Sequence, residues 1–460
     1  MKNKKVLIGV VVAAVVVAGV VACAPKPNTN YVGNPTPNVQ KADVTPEVDK
    51  FGIVKAEQWA EAYPYEYASY LENATNTPPK EDYLSGQYAA LGYPAGLGDC
   101  TSALPEGWEY VDAGKLDYLI TNPEIKVLGL GYGYAKYYTE PASHVFSLWT
   151  VAHNGRVGDG SKTKAACISC KSPQWSYYVR THGDGVNLLG FNDVIGEFDE
   201  NISCASCHGN DPMTLAVARV EWERAMGADG KVASLEGQVC GQCHCDYSMA
   251  PGTSIPTSPY DNGRPDMLPE KSLQWYDDHE FVDWTYASTG AKMLAIRHAE
   301  YEFNYGGTGS HMIQLGYDCN DCHMATKVAA DGTVYTDHHW INPTDNDELI
   351  ARDCSKCHKD LKAEVKAIQE ATEAKTVALG KRCEQFIRNF EDALAAGTLT
   401  EEQIARLQWI QRASCFYWNL AAAENSEGAH NPAYYENCFD LGNKVLDEGD
   451  RIIGKTSKVS

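Results

Sequence analysis

Ten of the sixteen cysteines in this 460-residue chain fall in five C-x-x-C pairs. Four pairs are followed at once by a histidine and the first by a lysine. In chain order, motifs 1 to 5 are Cys167/Cys170 with Lys171, Cys204/Cys207 with His208, Cys240/Cys243 with His244, Cys319/Cys322 with His323, and Cys354/Cys357 with His358. C-x-x-C-H is the attachment signature of haem c, in which both thiols bond the porphyrin and the histidine ligates the iron.

Two other uses of paired cysteines explain the pattern less well. A structural zinc site would need two C-x-x-C pairs on one metal, whereas the number of pairs is odd. A disulfide framework leaves the adjoining histidines without a role. We therefore expect five covalently bound haem c groups.

The lysine of motif 1 sets one haem apart from the others. An amine binds iron only when it is neutral, so Lys171 must lose its proton, which burial and the cationic iron both favour. The other face of that iron is then a candidate position for an exogenous ligand. The alternative is that Lys171 merely follows the cysteines and a distant histidine ligates.

The histidine count fits a chain of electron carriers with one reactive centre. There are thirteen histidines, of which four are the proximal ligands of motifs 2 to 5. Four six-coordinate haems would take four more. Enough histidines remain for one to act on a substrate.

Charge and composition narrow the class of protein. The net charge of −22 is the wrong sign for neutralising phosphates, so nucleic acid is not expected as a partner. The 44% hydrophobic content can fill a core, which excludes global disorder. The length corresponds to two or three domains.

The N-terminus predicts export. Lysines at positions 2, 4 and 5 precede a sixteen-residue apolar run at 6–21, which is short for a membrane span and typical of a signal peptide. The run ends in Val20-Val21-Ala22-Cys23, a lipobox pattern, so we expect residues 1–22 to be removed and Cys23 to carry lipid. A plain signal peptide or a retained anchor is the alternative. Residues 23–45 are predicted to be a flexible tether.

The last hundred residues predict three long helices. An apolar stripe indicates a helix over 359–396, and Thr400 with Gln403 forms a capping box that opens a second helix to about Asn425. Asn431 and Pro432 are expected to begin a third helix, which ends near residue 453. Upstream, residues 211–226 also look helical, and little strand pattern is present.

The order of one C-x-x-C-K and four C-x-x-C-H motifs resembles the ammonia-forming pentahaem cytochrome c nitrite reductases. The resemblance runs from about residue 125 to the end and implies a mainly α fold, in which loops wrap the haems and a long C-terminal helical bundle follows. It implies a pentahaem catalytic domain over 125–358 and a bundle over 359–460 that forms a homodimer, with a self-contained hairpin in a monomer as the alternative. Residues 46–124 match poorly and are treated as an N-terminal extension.

The resemblance carries three catalytic residues over to this chain. Arg156 lies in His153-Asn-Gly-Arg156, in the place of the family's site arginine. Tyr247 follows motif 3 as the family's tyrosine does, and His298 matches the histidine of its Gln-His-Pro-Glu-Tyr-Glu run. An arginine and a histidine can bind an anion, while the histidine and the phenol can supply protons.

The family's distal ligands have counterparts as well. They are His338 for motif 2, His144 for motif 3, His430 for motif 4 and His311 for motif 5. His339, beside His338, is a rival for the ligand of motif 2.

One departure from the family concerns calcium. Many members place this ion beside the site, bound partly by a glutamate and a glutamine, and here those positions hold Asp246 and Arg297. A guanidinium is a poor neighbour for a cation that requires oxygen ligands. We expect calcium to be absent and Arg297 to pair with Asp246 instead.

The activity implied by the resemblance is six-electron reduction of nitrite to ammonium, outside the cytoplasm. The lipid anchor would place the protein on the outer face of the cytoplasmic membrane or in the periplasm, where a membrane quinol-oxidising cytochrome would donate electrons. The alternatives are a non-catalytic electron-transfer cytochrome and a reductase of hydroxylamine, nitric oxide or sulfite. The pairing of Cys100, Cys245, Cys383, Cys415 and Cys438 stays open.

Overall fold

The structure is a computed structural model that describes residues 35–75, 119, 122–138, 144–152, 154, 156–157, 162–227 and 234–458. The expected signal peptide, Cys23 and Cys100 lie outside the described residues. Helices dominate the described residues, as expected for a mainly α protein. Among these helices none is long and apolar enough to span a membrane.

The regular elements are short before residue 360 and long after it. Along the described ranges the α-helices, α1 to α16, are Pro64–Glu72, Ile125–Leu128, Ser147–Ala152, Pro173–His182, Phe191–Val194, Cys204–His208, Val220–Met226, Leu235–Gly241, Pro269–Asp278, Glu300–Tyr305, His311–Gln314, Cys319–His323, Asp347–Arg352, Leu361–Ala396, Glu401–Ala423 and Pro432–Ile453. Short 3-10 helices are Ala56–Trp59, Asn73–Thr75, Gly133–Ala135, His144–Phe146, Ala165–Ile168, Asp184–Leu188, Ile195–Glu197, Arg264–Asp266, Pro343–Asp345 and Cys354–Lys356. The strands form three antiparallel hairpins, β1–β2, β3–β4 and β5–β6, with strands Ser248–Met249, Pro256–Thr257, Trp284–Thr285, Lys292–Met293, Thr326–Val328 and Val334–Thr336.

The three C-terminal helices form where their local signals predict them. The Thr400 and Gln403 side chains make the reciprocal bonds of a capping box, and the Asn431 side chain accepts from the backbone N–H of Tyr434. Gly397 ends α14 in the left-handed conformation, with φ 65°, which favours glycine. The first two helices are each about two residues shorter than expected at one end.

The bundle of α14 to α16 has a dry aromatic and aliphatic core. Phe386, Phe390, Leu407 and Ile410 are completely buried. Each such side chain stabilises the fold by roughly 1.5–3 kcal/mol. Helix α16 approaches closely at Gly449, where a Cβ atom would lie 2.3 Å from the Phe386 ring. The three helices are therefore closely packed against one another at this point.

The predicted helix over 211–226 is only partly present. Helix α7 begins at Val220, and the preceding segment is not helical. There, backbone groups bond to side chains from other segments: Ala218 N and Arg219 N donate to Gln242 Oε1, and Thr214 O accepts from His208 Nδ1. These contacts replace the backbone hydrogen bonds that a helix would make, so the prediction was wrong for residues 211–219.

The described part of the expected tether, from residue 35, is docked on the body of the protein. Asn38 exchanges two hydrogen bonds with Val334 of β6, at 2.9 Å each. Lys41 pairs with Asp211 at 2.7 Å, and Val39 packs beside Trp59. This segment is therefore extended and held against the hairpin β5–β6 and motif 2.

Candidate functional site

The cysteine motifs lie on single turns of helix. Motifs 2 and 4 form α6 and α12, each opened by a capping box from Ser203 or Asp318. Cys240 is in the last turn of α8, and motif 5 forms a 3-10 turn. A helical turn brings residues three apart to the same face, which suits two thiols that bond one porphyrin.

Three pairs of histidine rings face each other at one common spacing. The ring centres are 6.2 Å apart in each of the pairs His208/His338, His144/His244 and His323/His430. A metal bound by one nitrogen from each ring, with bonds of about 2 Å, separates ring centres by about this distance. Each pair joins a motif histidine to the distal histidine that the resemblance implies.

The hydrogen bonds of these rings leave one nitrogen for a metal. The Nδ1 atoms of His208, His323 and His338 bond the backbone oxygens of Thr214, Ile341 and Thr336 at 2.9–3.0 Å. A Nδ1–H bonded in this way directs Nε2 outward, as in metal-ligating histidines. The rival His339 has its Nδ1 3.3 Å from a Glu72 carboxylate oxygen.

Burial keeps several of these imidazoles in the neutral form that binds metals. It lowers the pKa of His144 to about 3, assisted by the nearby charges of His244, Lys171 and His298. Burial likewise lowers the pKa values of His323 and His338 to about 4. Ligands at these positions would not have to shed a proton near neutral pH.

Motifs 2 to 5, together with Cys170 of motif 1, line one connected cavity of about 1940 Å³. Small-molecule sites are usually roughly 300–1,000 Å³, so this cavity can hold several large groups. Its walls include His311 and His358 as well as the three facing pairs. The space, the neutral imidazoles and the ring spacing together fit covalently bound haems.

Motif 1 has different surroundings. Lys171 follows the 3-10 turn Ala165–Ile168, and its backbone is fixed by bonds from Lys171 N to Ile168 O and from Ser147 Oγ to Lys171 O. Burial raises the pKa of the Cys167 thiol, while the charges of Arg156, Arg297 and Lys171 oppose this rise. The side chains of Arg156 and Arg297 therefore lie near this motif.

Arg156 is held between aromatic and backbone groups. Its guanidinium lies 4.7 Å from the centre of the Tyr134 ring and donates to the Tyr137 carbonyl. At Gly133 a Cβ atom would lie 2.8 Å from Arg156 Cδ, so a glycine there admits the side chain.

Tyr247 lies between two guanidinium groups. The Cζ atoms of Arg219 and Arg297 are each 5.4 Å from the centre of its ring. Burial raises the phenol pKa well above its ordinary value, and the two arginines oppose that rise. Arg219 was not identified from sequence, because nothing distinguishes it locally from any other arginine.

His298 is coupled to motif 3 through a buried glutamate. Glu300 Oε1 is 3.8 Å from His298 Nδ1, and Glu300 Oε2 is 3.7 Å from His244 Nδ1. Although burial opposes it, the two histidines hold the Glu300 pKa well below its ordinary value. The spacing of these three groups would allow them to hold a metal ion. However, His244 adjoins the cysteines of motif 3 and faces His144, which fits a role as a haem ligand instead. Sequence reasoning missed Glu300.

Arg297 is paired with a different acid from the one expected. It binds both oxygens of Asp283, at 2.9 and 3.0 Å, and donates to the carbonyls of Tyr247 and Ala295. Asp246 instead accepts from Tyr276 Oη at 3.0 Å, and burial raises its pKa to about 7. The hydrogen-bonded ion pair of Arg297 is therefore with Asp283, a bidentate partner for the planar guanidinium, while its charge only opposes the rise in the Asp246 pKa.

The other cysteines within the described residues are buried in two places. Cys245 packs next to motif 3, beside Tyr260, and Cys383, Cys415 and Cys438 lie in the core of the bundle. Their pairing stays open.

Comparison with known proteins agrees with the motifs and the fold. The chain is 27% identical to the cytochrome c nitrite reductase subunit NrfA of Nitratidesulfovibrio vulgaris, over 94% of this chain and 83% of that protein. It superimposes with a TM-score of 0.70 on the catalytic subunit of cytochrome c nitrite reductase from Desulfovibrio desulfuricans, a structure described for its two calcium sites. That match has 24% identity and covers 88% of this chain and 86% of the other. The profile of the cytochrome c552 family matches residues 55–455, which includes part of the segment before residue 125 that sequence analysis set apart. The chain therefore belongs to the cytochrome c552 family.

Proposed function

We propose that this protein is an ammonia-forming nitrite reductase that acts at motif 1. The observation that carries the proposal is the contrast around Lys171. At motif 1, the charges of Arg156, Arg297 and Lys171 oppose the rise in the pKa of the Cys167 thiol, and the charge of His298 lowers the pKa of Cys170. Motifs 2, 3 and 4 instead have a second histidine that faces the first. The similarity to nitrite reductases supports the choice of substrate.

In this proposal five haem c groups are attached through motifs 1 to 5. Lys171 and the four motif histidines would be the proximal ligands, and His144, His311, His338 and His430 would be the distal ones. When bound, these groups supply electrons and an iron that binds the nitrogen of nitrite.

The chain's own residues attract and hold the anion. The protein has a net charge of −22, yet Arg156, Arg219 and Arg297 cluster near motif 1. Such a local reversal of charge concentrates anions at the site. Hydrogen bonds from Arg156 and His298 to the nitrite oxygens are charge-assisted, which makes them stronger than neutral ones.

Proton supply is assigned to His298 and Tyr247. The His298 side chain is 28% exposed, so it can exchange protons with solvent, and a carboxylate oxygen of Glu300 lies 3.8 Å from its Nδ1. Tyr247 is a phenolic donor whose ring is fixed between two guanidinium groups. Cleavage of N–O bonds needs protons at the leaving oxygens, which positioned donors provide.

Contacts between motifs favour a short relay of electrons. Cys170 of motif 1 contacts Cys243 of motif 3, and Cys240 of motif 3 contacts Cys319 of motif 4. Cys207 of motif 2 lies 4.0 Å from Val239 O, which adjoins motif 3. Motif 3 is therefore the junction through which the other centres would reach the reactive one.

We also propose that Arg297 takes the place of calcium. Its guanidinium bonds the carbonyls of Tyr247 and Ala295 and both oxygens of Asp283, which are the hard oxygen ligands that a calcium ion would use. Export, lipid at Cys23, a quinol-oxidising donor in the membrane and a homodimer formed by the bundle belong to the same proposal.

The test uses the purified, full-length holoprotein. Mass spectrometry should find five porphyrins, and the oxidised spectrum should contain one high-spin haem among low-spin ones. With a strong reductant the protein should consume nitrite and release ammonium in equal amounts. Only low-spin haem without nitrite turnover would instead identify an electron carrier, and faster turnover of sulfite, hydroxylamine or nitric oxide would identify a different substrate.

A further inference from the structure

The facing histidines differ in the hydrogen-bond partners of their Nδ1 atoms. In the pair of motif 2, both His208 and His338 bond backbone carbonyls, at 3.0 and 2.9 Å. In the pair of motif 4, His323 bonds the Ile341 carbonyl, whereas the Nδ1 of His430 lies 2.5 Å from a carboxylate oxygen of Glu424.

Glu424 is completely buried and surrounded by donors. Tyr435 Oη donates to Oε2 at 2.5 Å, and the backbone N–H and the hydroxyl of Ser426 donate to the same oxygen at 3.1 and 2.6 Å. The Ser426 hydroxyl also accepts from the backbone N–H of His430 at 2.9 Å. One short network therefore fixes both the carboxylate and the histidine.

The loop that carries His430 has little freedom to move. It joins α15 to α16, and Gly428 in it has φ 110°, with its α-carbon so close to helix α14 that a Cβ atom would lie 2.3 Å from Thr372 Oγ1. Asn425 N donates to Glu300 Oε1 at 3.3 Å, which ties the loop to the residue beside His298.

We propose that Glu424 is a positioning residue that orients His430 and lowers the reduction potential of the haem held by motif 4. This inference rests on the proposed function, because it takes His323 and His430 as the two ligands of that haem. A carboxylate that accepts from Nδ1–H raises the electron density of the imidazole and so stabilises ferric iron over ferrous iron. A backbone carbonyl is uncharged and does this less, so the haem of motif 2 titrates at a higher potential.

A second histidine–carboxylate pair shows why burial matters. His358 Nδ1 lies 2.7 Å from Glu364 Oε2, but these side chains are 38% and 46% exposed. Water screens an exposed pair, whereas the Glu424 carboxylate acts through a medium of low dielectric constant. The Glu424 effect is therefore the larger of the two.

The test compares Glu424→Gln, Tyr435→Phe and the matched control Glu364→Gln in the full-length holoprotein by redox titration followed by visible and EPR spectra. In Glu424→Gln one low-spin component should shift upward, so that its oxidised-to-reduced ratio at a fixed potential falls about tenfold, or about 59 mV for one electron. Tyr435→Phe removes a competing donor from the carboxylate and should shift the same component downward by less. Glu364→Gln should shift a different component, and less than Glu424→Gln does.

Shifts of the reduction potential in opposite directions in Glu424→Gln and Tyr435→Phe would not arise if Glu424 had only a structural role. The inference is overturned if both variants of the network titrate like the parent protein, or if both shift the component in the same direction. If Glu424→Gln does not accumulate with five haems, the sign of the Tyr435→Phe shift decides. A parent protein without five haems or nitrite turnover would instead refute the proposed function.

Discussion

The surroundings of Lys171 and those of the facing histidines follow two different designs within one chain. In the histidine pairs, rings at 6.2 Å take up both sides of the space between them, and three of the six Nδ1 atoms bond neutral carbonyls. Around motif 1 the nearby groups are instead guanidinium groups, a phenol and an imidazole. In the proposed function, this difference separates the centres that relay electrons from the centre that binds the anion.

The largest effect is expected from His298→Asn, which removes the imidazole but keeps an amide of similar size. General acid catalysis contributes roughly 10²–10⁴-fold, so kcat/KM for nitrite should fall by about that factor while the low-spin spectrum stays unchanged. His279→Asn is the control, because His279 is exposed at the end of α9 and bonds Trp275 O. If kcat/KM falls equally in both variants, His298 has no specific role in the site.

The replacement Arg297→Gln tests whether the Arg297 guanidinium takes the place of calcium. It leaves the buried Asp283 carboxylate, 3% exposed, without its ion-pair partner, and breaking a buried pair costs about 3–5 kcal/mol of unfolding free energy. Thermal unfolding should show this loss, and added calcium should restore part of it. Arg412→Gln breaks another pair, with Asp277, and calcium should not rescue it. If added calcium rescues neither variant, the proposal that Arg297 takes the place of calcium is contradicted.

A smaller effect on turnover is expected from Arg156→Gln. Loss of one charge-assisted hydrogen bond of about 1.5–3 kcal/mol should raise KM for nitrite roughly tenfold to a hundredfold. Steady-state assays over a range of nitrite concentrations measure this. Arg388→Gln, which removes an exposed partner of Glu384, is the control and should leave KM unchanged. An unchanged KM in Arg156→Gln would show that anion binding does not use this guanidinium.

The smallest effect concerns the stability of the motif 2 region. Burial raises the pKa of Glu200 to about 6 from its ordinary 4.5. The folded state therefore binds this proton more tightly than the unfolded state, and stability falls as pH rises from 4.5 through about 6. The loss is about 2 kcal/mol, since one pKa unit is about 1.4 kcal/mol.

Glu200→Gln should abolish that loss without changing nitrite turnover. The difference in Tm between variant and parent should grow from pH 4.5 to about 6 and stay constant above. A pH-independent difference for Glu200→Gln would contradict the assignment.

The parts of the molecule that were predictable from sequence are those with local causes. Helices α14 to α16 follow from apolar stripes and from caps at Thr400 and Asn431, whose partners are three residues away. The cysteine motifs are local too. Residues 211–219 were mispredicted because their backbone bonds Gln242 and motif 2 rather than itself.

The site was only partly predictable for the same reason. Arg156, Tyr247 and His298 were identified through motifs that the chain shares with a known family. Arg219, Glu300 and Glu424 act through contacts that no short pattern encodes. The partner of Arg297 is Asp283, across the hairpin β3–β4, and no local pattern marks it, whereas the resemblance pointed to the more distant Asp246.

The docked segment near the start of the chain has a consequence for the order of assembly. Its partners Asp211 and Val334 lie 170 and 296 positions further along, so they leave the ribosome much later than Asn38 and Lys41 do. Contacts of such sequence separation form slowly. Because Pro37 and Val39 line the cavity, we expect it to be open on that side until the segment docks, so that the thiols of motif 2 would be accessible while the proposed haems are attached.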